Sequence, residues 1–270
     1  MTARMRSVGP LGVVLAAVLC SAAVGCGGTS DGKPAASTTQ TVSTTTAPAT
    51  RCLRSDGNCL GALAPGKYTS SAFAVFGTPE KGHLAYSVAD HSWANALDHP
   101  AGYWFQSARG YKASNGDATL AGVYLFSDAA AARQNYPACS EESDTSVKTD
   151  AASLVTWIKQ LPAITTKDLP PLKTALGTAQ GVSVVAKPSA KGACSDNETV
   201  RTLIASRPQA VDPYIWGITR SDRIDAYFQD LEGGHTVAIL IYIPDKTAVP
   251  TELFSSSARL ISSFRFVQER

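Results

Sequence analysis

Two blocks rich in aromatic and β-branched residues, 223–231 and 235–243, flank Glu232-Gly233-Gly234 near the C-terminus. Such a punctuated pattern predicts an antiparallel hairpin. The stretch 237–243 is apolar at nearly every position, which predicts a central strand covered on both faces. Upstream, residues 68–76, 86–93, 101–106 and 118–126 read as further strands, as do 181–187, 214–219 and 263–267. The strands 214–219 and 224–231 are expected to be adjacent and joined around Ser221-Asp222.

Helical signals interrupt the strands. Asp150 precedes a run in which Leu154, Trp157, Ile158 and Leu161 form one apolar stripe, ended by Pro162. This predicts a capped helix over 151–161 whose Trp157 belongs to the core. Ser127 and Asp128 ahead of four alanines predict a short helix over 128–133. Pro250 and Thr251 open a third, over 250–261, with Phe254, Ala258 and Ile261 on one face. Residues 141–149 read as a loop, 165–171 as a Thr/Pro-rich connector and 192–198 as a turn. Strands followed by helices, a meander, a helix and a strand make an α+β fold: a mostly antiparallel twisted sheet covered by helices.

The first 51 residues have a different character. Arg4 and Arg6 precede an uncharged run, residues 7–25, with an apolar core shorter than the roughly 20 residues of a membrane span. This is an export signal, assigned to residues 1–25. Ala23-Val24-Gly25-Cys26 resembles the lipobox of bacterial lipoproteins, with Cys26 as the acylated residue and Ala23 where leucine is usual; an ordinary cleavage near Ala22 or Ala23 is the alternative. Leu19 makes Cys20 a poorer candidate. Eleven of the 24 residues 27–50 are Ser or Thr and none is aromatic. Residues 26–51 are therefore expected to be a flexible tether, and residues 52–270 a single extracytoplasmic domain. The expected location is the extracytoplasmic face of the cell membrane, lipid-anchored.

Charge and cysteine content narrow the partners. The chain carries 24 basic and 22 acidic residues, and the excess disappears once Arg4 and Arg6 are removed with the signal. There is no basic stripe of the kind a nucleic-acid phosphate backbone requires, so no nucleic-acid partner is expected. Beyond the signal and Cys26, Cys52, Cys59, Cys139 and Cys194 remain, an even set for an oxidising compartment. Three pairings exist; Cys52–Cys59 across a glycine-containing turn and Cys139–Cys194 across a long insert are preferred. No Cys-x-x-Cys unit or neighbouring histidine suggests metal.

Candidate chemistry is sparse. His83, His91 and His99 are eight residues apart, so no single element presents them together, and His235 reads as a turn histidine in water. Asp222, Asp225, Asp230 and Glu232 cluster in sequence, but Asp225 and Asp230 fall on opposite faces of a regular strand. No nucleophile elbow, phosphate loop or zinc-protease helix occurs, and no cofactor is expected. The aromatic surplus is the stronger feature. Trp104, Tyr214 and Trp216 are candidate lining residues for a small apolar ligand.

The frames 64–73, 154–165 and 262–266, together with Tyr227, Asp230, Gly234, Ala238 and Ile239, resemble a group of exported actinobacterial lipoproteins of unassigned function. That group opens with a Gly-x-Tyr-Thr motif, here Gly66 to Thr69, and closes on a Ser-Phe-Arg-Phe-like strand, here Ser263 to Phe266. Its frequent Val-Pro-x-Gly-Trp turn is replaced by residues 77–82. More distantly, the terminal helix and strand are similar to lipoproteins sharing the fold of the photosystem extrinsic protein PsbP. The resemblance implies a PsbP-like α+β body and carries no catalytic residue. The expected function is a membrane-anchored, noncatalytic binding or interaction module of the cell envelope, with an envelope protein, lipid or small apolar molecule as partner. The alternative is an envelope hydrolase with a site near residues 222–235.

Overall fold

A computed structural model describes residues 60–73, 82–114, 121–175, 177–207, 213–245 and 251–267. They run β1 (Gly61–Ala62), β2 (Gly66–Thr69), β3 (His83–Val88), β4 (Trp93–His99), β5 (Gly102–Ser107), α1 (Ala108–Ser114), β6 (Gly122–Phe126) and β7 (Ala129–Ala131). Then follow α2 (Ala151–Gln160), β8 (Ile164–Thr174), β9 (Gly177–Ala186), β10 (Thr199–Ser206), β11 (Ile215–Thr219), β12 (Arg223–Asp230), β13 (Thr236–Ile243), α3 (Thr251–Ser262) and β14 (Arg265–Val267). Cys26, Cys52 and Cys59 lie outside the described residues, as do the signal and the tether.

The expected hairpin organises the body. Strands β12 and β13 pair antiparallel from Arg223–Ile243 to Asp230–Thr236. Their connection bends through Gly233 and Gly234, at φ 74° and 77°, a region that side-chain-bearing residues avoid. All eight residues of β13 are buried. Ala238, Leu240 and Tyr242 enter one core, with α2 and residues of β10 and β11. Val237, Ile239, Ile241 and Ile243 enter a second core, with α3 and residues of β2, β3 and β14. The fold is α+β: an eight-stranded sheet, β1-β4-β5-β6-β13-β12-β9-β8, has all its described pairings antiparallel. Two three-stranded sheets, β11-β10-β7 and β14-β3-β2, lie beside it.

Helix α2 forms where its stripe predicts. The Asp150 carboxylate accepts the Ser153 N–H at 2.9 Å, a standard N-cap. The Asp230 carboxylate takes the Ala151 N–H at 2.8 Å, tying the helix start to β12. Leu154, Val155, Ile158 and Leu161 face the core, with Trp157 half-buried against it.

Several expected elements are corrected. Residues 128–133 do not form a helix: Ala129–Ala131 are strand β7, fully enclosed and paired to β10. Alanine's helix propensity of a few tenths of a kcal/mol per residue yields here to packing of small side chains in an interior strand. The 165–171 connector is part of β8, an edge strand, where Pro170 and Pro171 fall in a register break between Leu169 and Leu172. Proline lacks the N–H a ladder needs, and edges and breaks are where it is tolerated. Residues 86–93 contain a reversal rather than one strand, because the chain turns after Val88 and Trp93 begins β4. β11 and β12 are consecutive but lie in different sheets. On α3 the buried stripe is Leu253, Ser257, Leu260 and Ile261; Ala258 faces water.

Cys139 and Cys194 are joined by a disulfide, Cα–Cα 5.6 Å, and both are buried. It staples the segment after β7 to the turn before β10, the long-insert pairing preferred above.

Candidate functional site

The three candidate ligand-lining residues come together. Trp104 on β5, Trp216 on β11 and Tyr214 just before β11 join Tyr124, Phe126 and Tyr242 between the large sheet and the β11-β10-β7 sheet. Ring centroids lie 6.0 Å apart for Trp104–Trp216, 5.1 Å for Tyr124–Trp216 and 4.8 Å for Phe126–Tyr214. The Tyr214 hydroxyl donates to the Ser127 carbonyl at 2.9 Å, and burial pushes its pKa well up. These rings pack on one another, and none of them lines the three clefts described below.

His235 is not the solvated turn residue expected. Its Nδ1 lies 2.6 Å from Oδ1 of Asp128, with both side chains mostly covered. The same Asp128 oxygen is 3.9 Å from Nη1 of Arg207, whose other terminal nitrogen donates to the Gly234 carbonyl. Asp128 is brought there because the chain leaves β6 at a positive φ of 49° instead of winding into a helix. The arrangement is a histidine oriented by a carboxylate, with a guanidinium near the same carboxylate oxygen. It could hold a proton at His235 Nε2; nucleophilic chemistry would need a hydroxyl or thiol beside that atom.

The other acidic residues of the meander serve separate structural contacts. Asp222 is buried and accepts the Thr219 N–H at 2.8 Å and the Tyr242 O–H at 3.2 Å; desolvation raises its pKa. Asp225 is buried in a two-point pair with Arg223, at 3.0 and 2.9 Å. The Arg223 guanidinium lies 5.0 Å over the Phe254 ring. Asp230 holds the start of α2, and Glu232 is exposed at the hairpin tip. They do not converge as a pair of catalytic carboxylates. Among the described residues no group of three or more His, Cys, Asp or Glu side chains is placed to hold a metal ion.

A larger cleft lies elsewhere. A groove of about 860 Å³ runs between α3, α1 and the β3–β4 turn. Its floor includes Trp93, Leu253 and Pro244, and its rim includes His91, Arg109 and Arg259. Trp93 and Leu253 are nearly covered, whereas Arg259 is exposed and sits 4.0 Å from Asp90. A small recess against Val88 and Leu260 shares Trp93, Ser256 and Arg259 with it. A second cleft, about 600 Å³ and polar, opens beside Arg207 and residues 141–146. Sequence reasoning singled out neither cleft. The apolar–polar alternation of α3 was the one available signal, and it marked the helix's inner face only.

Comparison with known proteins returns no match: no family model fits the chain, and no curated protein or solved structure is similar to it.

Proposed function

We propose that this chain is a lipid-anchored, extracytoplasmic binding protein without catalytic activity, and that the groove along α3 is its binding site. The observation that carries the reading is the groove itself: about 860 Å³, within the roughly 300–1,000 Å³ of small-molecule sites, apolar below and polar around the rim. Trp93, Leu253 and Pro244 suit an apolar body; Arg109 and Arg259 suit a polar or anionic end. The occupant proposed is therefore a small amphiphile of the envelope. The location rests on sequence: Arg4 and Arg6, the apolar core, Gly25-Cys26 and the Ser/Thr-rich tether. Among the described residues no helix is long and apolar enough to cross a membrane; attachment is assigned to an acylated Cys26 on the strength of the Ala23-Val24-Gly25-Cys26 sequence. Membership of the exported actinobacterial group, and a PsbP-like fold, remain part of this proposal. What supports them is the α+β body ending in helix α3 and strand β14.

The test uses 1-anilinonaphthalene-8-sulfonate, an aromatic body with one anionic group. The protein should bind it saturably at one site, with enhanced fluorescence. Ser256→Trp, which fills the groove from a half-buried helix position, should abolish that binding while leaving the circular dichroism unchanged. Undiminished binding by the variant would move the site away from α3.

One observation favours a second reading, a hydrolase: the Asp128–His235 pair at 2.6 Å. If it is a working acid–base pair, His235→Ala should remove hydrolysis of 4-nitrophenyl acetate. Equal rates for the two proteins dispose of this alternative.

A further inference from the structure

The polar cleft beside Arg207 is separate from the α3 groove and shares no lining residue with it. Its charges are unevenly compensated. Arg133 and Glu142 neutralise each other at 2.8 Å. Asp144 has one oxygen engaged by the N–H and O–H of Ser146, at 3.0 and 2.6 Å, contacts that leave its charge in place. Glu141 is exposed and has no ion-pair partner among the described residues. The rim therefore carries two uncompensated carboxylates. Arg207, by contrast, is three-quarters covered, and its Nε is buried without a hydrogen-bond partner. Its carboxylate neighbour, Asp128, is 3.9 Å away and much closer to His235, at 2.6 Å. A covered guanidinium N–H without an acceptor is costly, because such groups are normally paired inside proteins.

We infer that this cleft binds a small zwitterion, an α-amino acid or short peptide. Its carboxylate is taken by Arg207 and its ammonium group is held by Glu141 and Asp144. A planar guanidinium matches a carboxylate with two parallel hydrogen bonds, which a lone ammonium cannot do. The hydroxyls of Ser143, Thr145 and Ser206 line the same space and suit the intervening amide. A volume of about 600 Å³ admits a dipeptide with water around it. A purely anionic ligand would meet the two rim carboxylates, and a purely cationic one would offer Arg207 no acceptor beyond Asp128 at 3.9 Å. Carrying both charges answers both ends.

Calorimetric titration of the full chain with alanyl-alanine, with its N-acetyl form and with its C-terminal amide tests this directly. The zwitterion should bind one-to-one, and each blocked form should bind at least tenfold more weakly. Glu141→Lys, at an exposed position, should weaken the dipeptide by about tenfold. Arg207→Gln should erase the discrimination between dipeptide and amide. If Arg207→Gln fails to fold, because Arg207 also holds the Gly234 carbonyl, the blocked probes and Glu141→Lys decide the matter alone. The inference is overturned by no saturable binding up to about 10 mM, by equal binding of the amide, or by an inert Glu141→Lys.

Discussion

Replacing Asp98 tests how the β14-β3-β2 sheet is held to the large one. Asp98, on β4, is 4% exposed and accepts four hydrogen bonds from the turn that follows β2. Its Oδ2 takes the Ser71 N–H and O–H, both at 2.7 Å, and its Oδ1 takes the N–H groups of Ala72 and Phe73, both at 3.0 Å. This clamp fixes Phe73, fully buried, beside the Tyr103 ring at 6.1 Å. Asp98→Asn keeps the shape but must turn an NH₂ toward one of the two donor pairs; turned toward Ser71, whose hydroxyl can rotate to accept, it loses the Ser71 N–H bond, and the bonds that remain lose their charged acceptor. Bonds to a charged acceptor contribute about 1.5–3 kcal/mol each and are not additive, which puts the loss near 3 kcal/mol. Asp98→Ala strands all four donors, and a loss of about 4–5 kcal/mol is expected, close to the upper range for single substitutions. With a urea slope of about 2.5 kcal/mol per molar, the midpoint should fall by about 1.2 M for asparagine and about 1.8 M for alanine. Far-ultraviolet dichroism and tryptophan fluorescence should report coincident transitions. A shift below about 0.3 M for both variants, some 0.8 kcal/mol, would mean that the clamp does not hold this turn.

Other outcomes are expected. Converting Cys139 and Cys194 together to alanine should cost about 4 kcal/mol, the chain-entropy value for their separation of 55 residues, read as a lowered urea midpoint. A change under 1 kcal/mol would show that the insert is ordered without its staple. Asp222 has a folded-state pKa raised chiefly by desolvation. As pH rises from the ordinary carboxylate range through that raised value, the unfolded chain loses its proton first. Wild type should therefore lose stability relative to Asp222→Asn over that window, and be closest to it at lower pH; the opposite trend in paired urea titrations would refute the sign. Cys26→Ala should release the protein from membranes, and intact-mass analysis of extracted wild type should show an acylated N-terminus at Cys26. An unmodified chain beginning near Ala22 would remove the anchor.

The parts legible in sequence are those with long local periodicity. The hairpin from Arg223 to Ile243 and helix α2 announce themselves through apolar runs, glycines and an N-cap within a few residues of one another. Strand β7 was illegible because four alanines report propensity but not burial, and here burial decides. Strand β10 was not singled out: it carries Arg201 at a half-buried position within an otherwise enclosed strand. The α3 groove was beyond local reading for another reason. Its walls come from residues 91–93, 107–110 and 252–259, which only the fold brings together. The Asp128–His235 contact joins residues 107 positions apart. Local spacing could expose the absence of familiar motifs, but it could not reveal this pairing.

The most direct measurement for the central claim is amide hydrogen exchange of the full chain with and without saturating 1-anilinonaphthalene-8-sulfonate. Added protection is expected over residues 89–93, 107–110 and 252–260, the groove's walls, with residues 199–219 unchanged. Protection confined to 199–219, or spread evenly through the chain, would contradict a binding site along α3.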